Sequence, residues 1–328
     1  MSADTPEVSV IVAAWNAAPT IGGAVSSALR QRGVRVEVIA IDDASTDGTR
    51  AELERLAEVH KHLHIVVQTV NSGPAAARNS ALALARAPYV TILDADDEMA
   101  PDRLGKLLSI ARLGNWDIVA DDLFKVPSHH PDAPRERLWS KTEIGCVKIN
   151  FEEFIQGNLT RLHGGRGELG FLKPLIRREF LEWHNLRYDQ SMRLGEDYAL
   201  YAEALAAGAR FCLTDPFGYH ALVRPESLSG RHEAADLAGL VRVDQQLASR
   251  SDLTTSERKM LKIHEIETQK RWRWLRLIEA VKSRDIVDAV RCFIAPPSVI
   301  ASLCARLGEQ VLLRSAARIS RVLGTASA

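Results

Sequence analysis

A chain of 328 residues that is 46% hydrophobic and 26% charged is composed like an ordinary globular protein, with room for one large domain plus an appendage or for two domains. Its 42 basic and 42 acidic side chains cancel, which argues against a general nucleic-acid binder. The cysteines Cys146, Cys212, Cys292 and Cys304 form no CxxC pair and no cluster at zinc spacing, so reduced thiols in the cytoplasm are expected.

The first residues, Met1–Glu7, are acidic and lack an apolar signal core, so secretion is not expected. Beyond them strand and helix patterns alternate. Val8–Ala13, Val36–Ile41, Leu63–Gln68 and Tyr89–Leu93 are continuous apolar runs, as in strands covered on both faces. Helical periodicity fills 20–32, 49–60 and 75–86, and a fourth helix over 101–113 starts with Pro101 in a favoured first-turn position. Ile118–Phe124 reads as a fifth strand. This order predicts an α/β fold with a mostly parallel sheet, right-handed crossovers and a ligand beyond the carboxyl ends of the strands. Residues 126–150 read as an irregular connection, 151–215 carry mixed signals, and Val223–Gly230 reads as a loop. From Ala234 onward the pattern is helical, apart from a break at Pro296-Pro297. The longest uncharged stretch of that part, Cys292–Ala305, is 14 residues, whereas a membrane-spanning helix needs about 20.

Polar clusters fall at the strand ends. Strand one delivers Trp15-Asn16, and strand two delivers Asp42-Asp43 followed by Ser45-Thr46-Asp47-Gly48-Thr49. Strand three delivers Asn71-Ser72-Gly73-Pro74, with Arg78-Asn79 one turn into the next helix, and strand four delivers Asp94-Ala95-Asp96-Asp97. Taken singly, each is compatible with turn or capping chemistry. Four on one edge point to a ligand site. Asp94 and Asp96, two apart on an extended chain, would face one spot, and their repulsion would be relieved by a hard divalent cation such as Mg²⁺ or Mn²⁺. No GxGxxG or GxxxxGK[ST] follows strand one, which argues against a nicotinamide cofactor and a P-loop.

In this order the motifs resemble those of the family-2 glycosyltransferases, nucleotide-sugar enzymes of the GT-A fold. Val8–Val12 leading to Asn16 resembles the family's opening strand, Ile41–Thr49 its nucleotide-binding signature and Asn71–Asn79 its glycine-arginine-asparagine segment. Leu93–Asp97 resembles its metal motif and Gly195-Glu196-Asp197 its catalytic acidic pair. The likeness covers roughly residues 6–230. Gly170–Arg178, continuing to Arg193–Asp197, looks closest to bacterial exopolysaccharide enzymes of the succinoglycan type, which extend lipid-linked repeat units, usually from UDP-glucose.

The resemblance implies a division into 1–125 as the nucleotide-sugar half, 126–233 as the acceptor half with the base and a closing loop, and 234–328 as a C-terminal helical extension. It implies donor contacts from Ala13, Trp15, Asn16, Asp42, Asp43, Gly73, Arg78, Asp94, Ala95 and Arg224. Asp42 would face the uracil imide and Asp94 the ribose, while Arg224, unless merely solvated, would close on the diphosphate from its loop. Asp96 would hold Mg²⁺ or Mn²⁺, and His220 is a further ligand or a structural residue. Asp197 would be the general base with Glu196 beside it, unless the pair merely starts a helix, where its dipole favours acids. Asp43 is open between ligand and turn roles, and Asp47 reads better as a cap. His163–Gly167 could move on binding or simply connect.

The implied reaction is an inverting transfer of a hexose, glucose in the type it most resembles, from a UDP-sugar to a lipid-linked or other glycan. A nucleotidyltransferase or a non-catalytic scaffold of the same fold are the competing classes. Residues 256–328 carry 14 Lys/Arg against 7 Asp/Glu. Trp274, Leu277, Ile278 and Val281 recur at helical spacing beside Trp272, and Arg314, Arg318 and Arg321 share a face opposite Leu312, Ala316, Ile319 and Leu323. These helices either lie on an anionic membrane surface, placing the protein peripherally on the inner face of a bacterial plasma membrane, or pack on protein.

Overall fold

The structure is a computed structural model that describes residues 5–127, 135–159, 168–223 and 232–324. The chain divides into two compact units. The first comprises residues up to 231 together with 250–260, and the second comprises 232–249 and everything from 261 onward.

In the first unit the apolar runs fold as expected. β1 (Val8–Ala14), β2 (Val36–Asp42), β3 (Leu63–Val67) and β4 (Tyr89–Ile92) are joined by α1 (Ile21–Leu29), α2 (Thr49–Val59) and α3 (Pro74–Leu84). β1 pairs in parallel with β2 on one side and β4 on the other, and β2 with β3. Pro74 opens α3, where its missing N–H removes nothing from the helix ladder. Gly73 before it has φ of 85°, a left-handed conformation that glycine reaches without steric cost. Two residues, β5 (Glu98–Met99), precede α4 (Arg103–Gly114). Pro101 stands ahead of the α4 cap residue Asp102 rather than inside the helix.

The expected fifth strand is broken in two. β6 (Ile118–Asp121) stays in the large sheet and β7 (Phe124–Pro127) leaves it. The break sits at Asp122, whose buried carboxylate accepts the N–H groups of Leu123, Trp139 and Ser140 at 2.8–3.0 Å and turns the chain. After it come β8 (Glu136–Arg137), β9 (Val147–Ile149), α5 (Phe151–Gly157), β10 (Leu175–Arg177), α6 (Arg178–Trp183), α7 (Glu196–Ala206), β11 (Phe211–Thr214) and β12 (Tyr219–Val223). The expected irregular connection, 126–150, thus contains the end of β7 and two short strands, β8 and β9. The large sheet runs β3-β2-β1-β4-β10-β6-β11-β9, and a smaller one runs β5-β12-β7-β8.

Two strands of the large sheet run against the rest. β9 is antiparallel to β11, and β10 is antiparallel to both β4 and β6. The β10 insertion decides the site. Leu175 is registered with Thr91, so the residues just before β10 reach the carboxyl end of β4. Cys146 and Cys212 are joined as a disulfide next to the β9–β11 pairing, a departure from the expected four thiols; Cys292 and Cys304 are free.

The second unit is helical: α8 (Ala234–Ala248), most of α9 (Thr255–Ser283), α10 (Ile286–Arg291) and α11 (Pro297–Gly324). Arg284, at φ of 60°, ends α9, and Pro296-Pro297 separates α10 from α11. Leu277, Cys292 and Leu303 form a buried cluster against which Trp274, Ala289 and Phe293 pack. Two buried polar pairs join α8 to α9, Asp244 with His264 at 2.7 Å and Gln245 with Glu265 at 2.9 Å. No helix among the described residues is long and apolar enough to cross a membrane.

Candidate active site

The loops at the carboxyl edge hold one another in place. Asn16, at φ of 49°, donates its N–H to Ser45 Oγ at 3.0 Å and accepts the Thr46 N–H at 2.8 Å. Asp42 is buried and accepts the Ser45 N–H at 3.1 Å. Asp43, also buried, accepts the N–H groups of Ser72 and Gly73 at 2.9 and 2.8 Å, so both of its oxygens bind the loop before α3. Asp47 accepts the N–H and hydroxyl of Thr49 at 3.0 and 2.6 Å, which tethers the start of α2. Ala13 and Trp15 flank the end of β1, and the Trp15 ring is 57% exposed at the rim.

Beside these loops, residues from four parts of the chain close an ionic ring. Arg78, buried on α3, donates to Asp94 Oδ1 at 2.8 Å, contacts Asp197 Oδ1 at 3.4 Å and donates to Glu196. Lys173 Nζ lies 3.0 Å from Asp94 Oδ2 and 2.7 Å from Asp197 Oδ2. Glu196 and Asp197 form the first turn of α7, whose preceding Gly195 has φ of 83°. Asn79 exchanges two hydrogen bonds with the Tyr188 backbone at 2.8 and 2.9 Å, and the Tyr188 ring lies under the Arg78 guanidinium at 5.4 Å.

Two cations therefore face three carboxylates in a largely water-free setting. Burial alone would raise the Asp94 carboxyl, but Lys173 and Arg78 together hold it down at about 2. Burial works equally against the Lys173 ammonium, yet Asp197 and Asp94 outweigh it and raise that group above the ordinary lysine range. Glu196 goes the other way: burial, and after it Asp197, push it up against the pull of Arg78.

The acidic run does not continue the strand. β4 ends at Ile92, and the Asp97 N–H closes a turn on the Asp94 carbonyl at 3.0 Å, so side-chain alternation does not apply to Asp94 and Asp96. Asp96 and Ala95 are half-buried on that turn. Asp97 turns inward, accepting the Tyr219 hydroxyl and the Leu222 N–H, both at 2.8 Å. Burial and the adjacent Asp94 and Asp96 raise its carboxyl well above the usual range. The Tyr219 hydroxyl also accepts the Asp94 N–H at 3.2 Å, which ties the turn to β12.

His220 follows Tyr219 on β12, registered with Glu98 of β5 and Phe124 of β7. Its Nε2 is 2.8 Å from Arg135 Nη1, and burial plus that guanidinium lower its pKa. A neighbouring cation opposes metal binding there. Among the described residues no group of three or more His, Cys, Asp or Glu is arranged to hold a metal ion. Arg224 and the stretch His163–Gly167 lie outside the described residues.

Comparison with known proteins identifies the family of the chain. Residues 9–170 match the family model described as glycosyl transferase family 2. The chain is 40% identical over 273 residues to the succinoglycan biosynthesis protein ExoU of Rhizobium meliloti (strain 1021), covering 83% of this chain and 78% of that protein. The chain belongs to glycosyl transferase family 2. As a family-2 glycosyltransferase it also shares its fold with solved GT-A enzymes. S. aureus TarS 1-349 in complex with UDP-GlcNAc superposes with a TM-score of 0.66 at 17% identity, over 92% of each chain. The mannosyltransferase PcManGT from Pyrobaculum calidifontis, in complex with GDP-Man and Mn²⁺, gives 0.57 at 20% identity over 93% of this chain and 87% of that one.

In this glycosyltransferase Lys173 and Asp97 fall inside two of the motif stretches, Gly170–Arg178 and Leu93–Asp97, but the motifs give no role to them, nor to Tyr188 and Tyr219. Within Gly170–Arg178, Lys173 stands out as a lone charge in the otherwise apolar run Phe171–Ile176, whose strand is three residues long.

Proposed function

We propose that this glycosyltransferase moves a hexose from a UDP-sugar, with inversion, to a growing glycan in exopolysaccharide synthesis. The observation that carries the reading is the ring in which Arg78 and Lys173 join the Asp94 turn to the Asp197 helix. It sets a donor-facing acid and a candidate base on opposite sides of the same cations, at the edge where α/β sheets bind ligands. The likeness to ExoU supports a polysaccharide product, and glucose is the hexose we favour.

In this reading Asp42 faces the uracil and the Asp94 turn lies along the ribose and diphosphate. Arg78 acts chiefly by fixing carboxylates, since they surround its guanidinium. The acceptor hydroxyl oxygen attacks the anomeric carbon, its proton passes to Asp197, and the bond to the diphosphate oxygen breaks with both electrons leaving on UDP. Base assistance of this kind is worth about 10²–10⁴ in rate. Asp96, half-buried on the turn, fits a divalent ion as a single ligand. Mg²⁺ is commonly bound through one or two carboxylates plus substrate phosphates rather than by an all-protein cage. An ion so placed would offset charge on the departing diphosphate.

We further propose that the acceptor is lipid-linked and that the second unit contacts an anionic membrane surface from the cytoplasmic side. The face carrying Trp274 and Leu277 is turned inward, against Cys292 and Leu303. Apolar side chains stand exposed instead at the α9–α10 elbow, where Val281, Ile286, Val287, Val290 and Ile294 lie among Lys282, Arg284 and Arg291. Incubation with a panel of UDP-sugars, with and without excess EDTA, tests the donor and the metal together. UDP release that needs a divalent ion is expected, and full turnover in EDTA would remove the metal from the mechanism.

A further inference from the structure

At the end of α9 the chain turns in a way that ordinarily calls for glycine. The Arg284 N–H donates to the Val281 carbonyl at 3.3 Å and the Asp285 N–H to the Ala280 carbonyl at 2.9 Å, a pair that closes a helix through one left-handed residue. That residue is Arg284, at φ of 60°, a conformation that a Cβ makes costly and that glycine adopts freely. Left-handed residues other than glycine cluster at ligand clamps and switches. The turn opens onto a cleft between α9 and α10 of about 490 Å³, within the size range of small-molecule sites. Its walls are apolar, with Val281, Ile286, Ala289, Val290 and Phe293 among them, and Arg284 and Asp285 complete the lining. Between residues 280 and 294 the charged side chains are Lys282, Arg284 and Arg291 against Asp285 and Asp288. Both acids are engaged: Asp285 accepts the Asp288 N–H at 2.9 Å as the cap of α10, and Asp288 pairs with Arg276. Arg284 is exposed and forms no ion pair with a described residue.

We infer that this cleft binds the lipid end of the acceptor, a single apolar chain joined to a phosphate, with the Arg284 guanidinium on the phosphate oxygens. This rests on the reading of the acceptor as lipid-linked and gives that lipid a site. The chain accounts for the apolar walls, and the anion accounts for an unpaired arginine kept in a strained turn at their edge. A planar guanidinium also suits phosphate oxygens two at a time. One cleft takes one chain, so a phospholipid with two would leave the second in water. Adhesion to a bilayer surface needs only exposed apolar and cationic side chains; it needs neither a cavity nor an arginine in place of glycine.

The test titrates farnesyl phosphate, below its micelle concentration, into the full-length protein by calorimetry without vesicles. Saturable one-to-one binding is expected. Farnesol, the same chain without the anion, should bind about tenfold more weakly or worse. Arg284→Gly should weaken farnesyl phosphate by a similar factor and farnesol hardly at all. The same variant should melt roughly 2–4 °C higher than wild type, because glycine relieves the left-handed turn. Ala289→Leu, which fills the cleft from α10, should lose both ligands yet still float with phosphatidylglycerol vesicles, since Ile286 and Val290 stay exposed. If Ala289→Leu does not fold, Val281→Phe fills the cleft from α9 instead. No saturable binding, equal affinity for farnesol and farnesyl phosphate, or equal displacement by the two-chain dihexanoylphosphatidylglycerol overturns the inference. So does a dimer that Ala289→Leu dissociates, which would make the cleft a subunit contact. No donor enters these measurements. A protein that binds farnesyl phosphate as described but transfers only to water-soluble glycans would therefore overturn the reading of the acceptor instead.

Discussion

Asp94 and Asp197 divide the same two cations between them. One oxygen of each faces Arg78, at 2.8 and 3.4 Å, and the other faces Lys173, at 3.0 and 2.7 Å. The Asp94 turn and the Asp197 helix are therefore held together by the same two side chains, the kind of preorganisation on which electrostatic catalysis depends.

Substitution of Asp96 by alanine should abolish transfer with little change in fold. Asp96 is half-buried on the turn, whereas the buried contacts of that turn with β12 and Arg78 are made by Asp97 and Asp94. Loss of a metal that supplies several kcal/mol of transition-state stabilisation corresponds to about 10²-fold or more in kcat. Circular dichroism should be unchanged, and EDTA should reproduce the defect in wild type. A variant that turns over normally would show that Asp96 holds no ion.

Much of this site could be read from the sequence, and the rest could not for definite reasons. Continuous apolar runs followed at once by Asn, Asp and Gly mark parallel strands and their functional ends, because both faces of such strands are covered. The Asp94–Asp97 turn defeats period-two reasoning, since a single backbone hydrogen bond reverses the chain there. Lys173 reaches Asp94 only because β10 enters antiparallel beside β4, a three-residue pairing with no periodicity to detect. In α9, Trp274 and Leu277 have a spacing that suits a membrane face and a protein core equally, and the structure turns them toward Cys292 and Leu303.

A contrasting pH response is expected at the amino ends of the strands. Glu37 is buried, and although burial alone would raise its carboxyl, bonds from Ser9 and Arg86 hold it below the ordinary glutamate range. A lowered folded-state pKa stabilises above the unfolded value and is lost as pH falls through the folded one. Glu37→Gln should therefore cost about 1–3 kcal/mol at pH 7 and progressively less below pH 4.5. Urea melts across that range check it, and a penalty that stays constant with pH would contradict the assignment. Turnover should not change, because Glu37 lies at the opposite end of the sheet from the site.

Membrane contact through the α9–α10 elbow predicts that Ile286→Asp/Val290→Asp abolishes flotation with phosphatidylglycerol vesicles at low salt. Ile286 is 77% and Val290 62% exposed, so the double variant should melt like wild type. UDP release should also persist, while transfer to a lipid-linked acceptor falls. Wild-type protein that stays off such vesicles would leave the elbow without a membrane role.

The central claim, a UDP-sugar transferase whose base is Asp197, is tested most directly by pairing turnover with nucleotide binding in Asp197→Asn. Across a panel of UDP-hexoses with Mn²⁺, wild type should release UDP from at least one. With that donor the variant's kcat should fall by about 10²–10⁴ while the Kd for UDP changes little. Absence of UDP release from every donor, or undiminished kcat in the Asp197→Asn variant, would contradict the account.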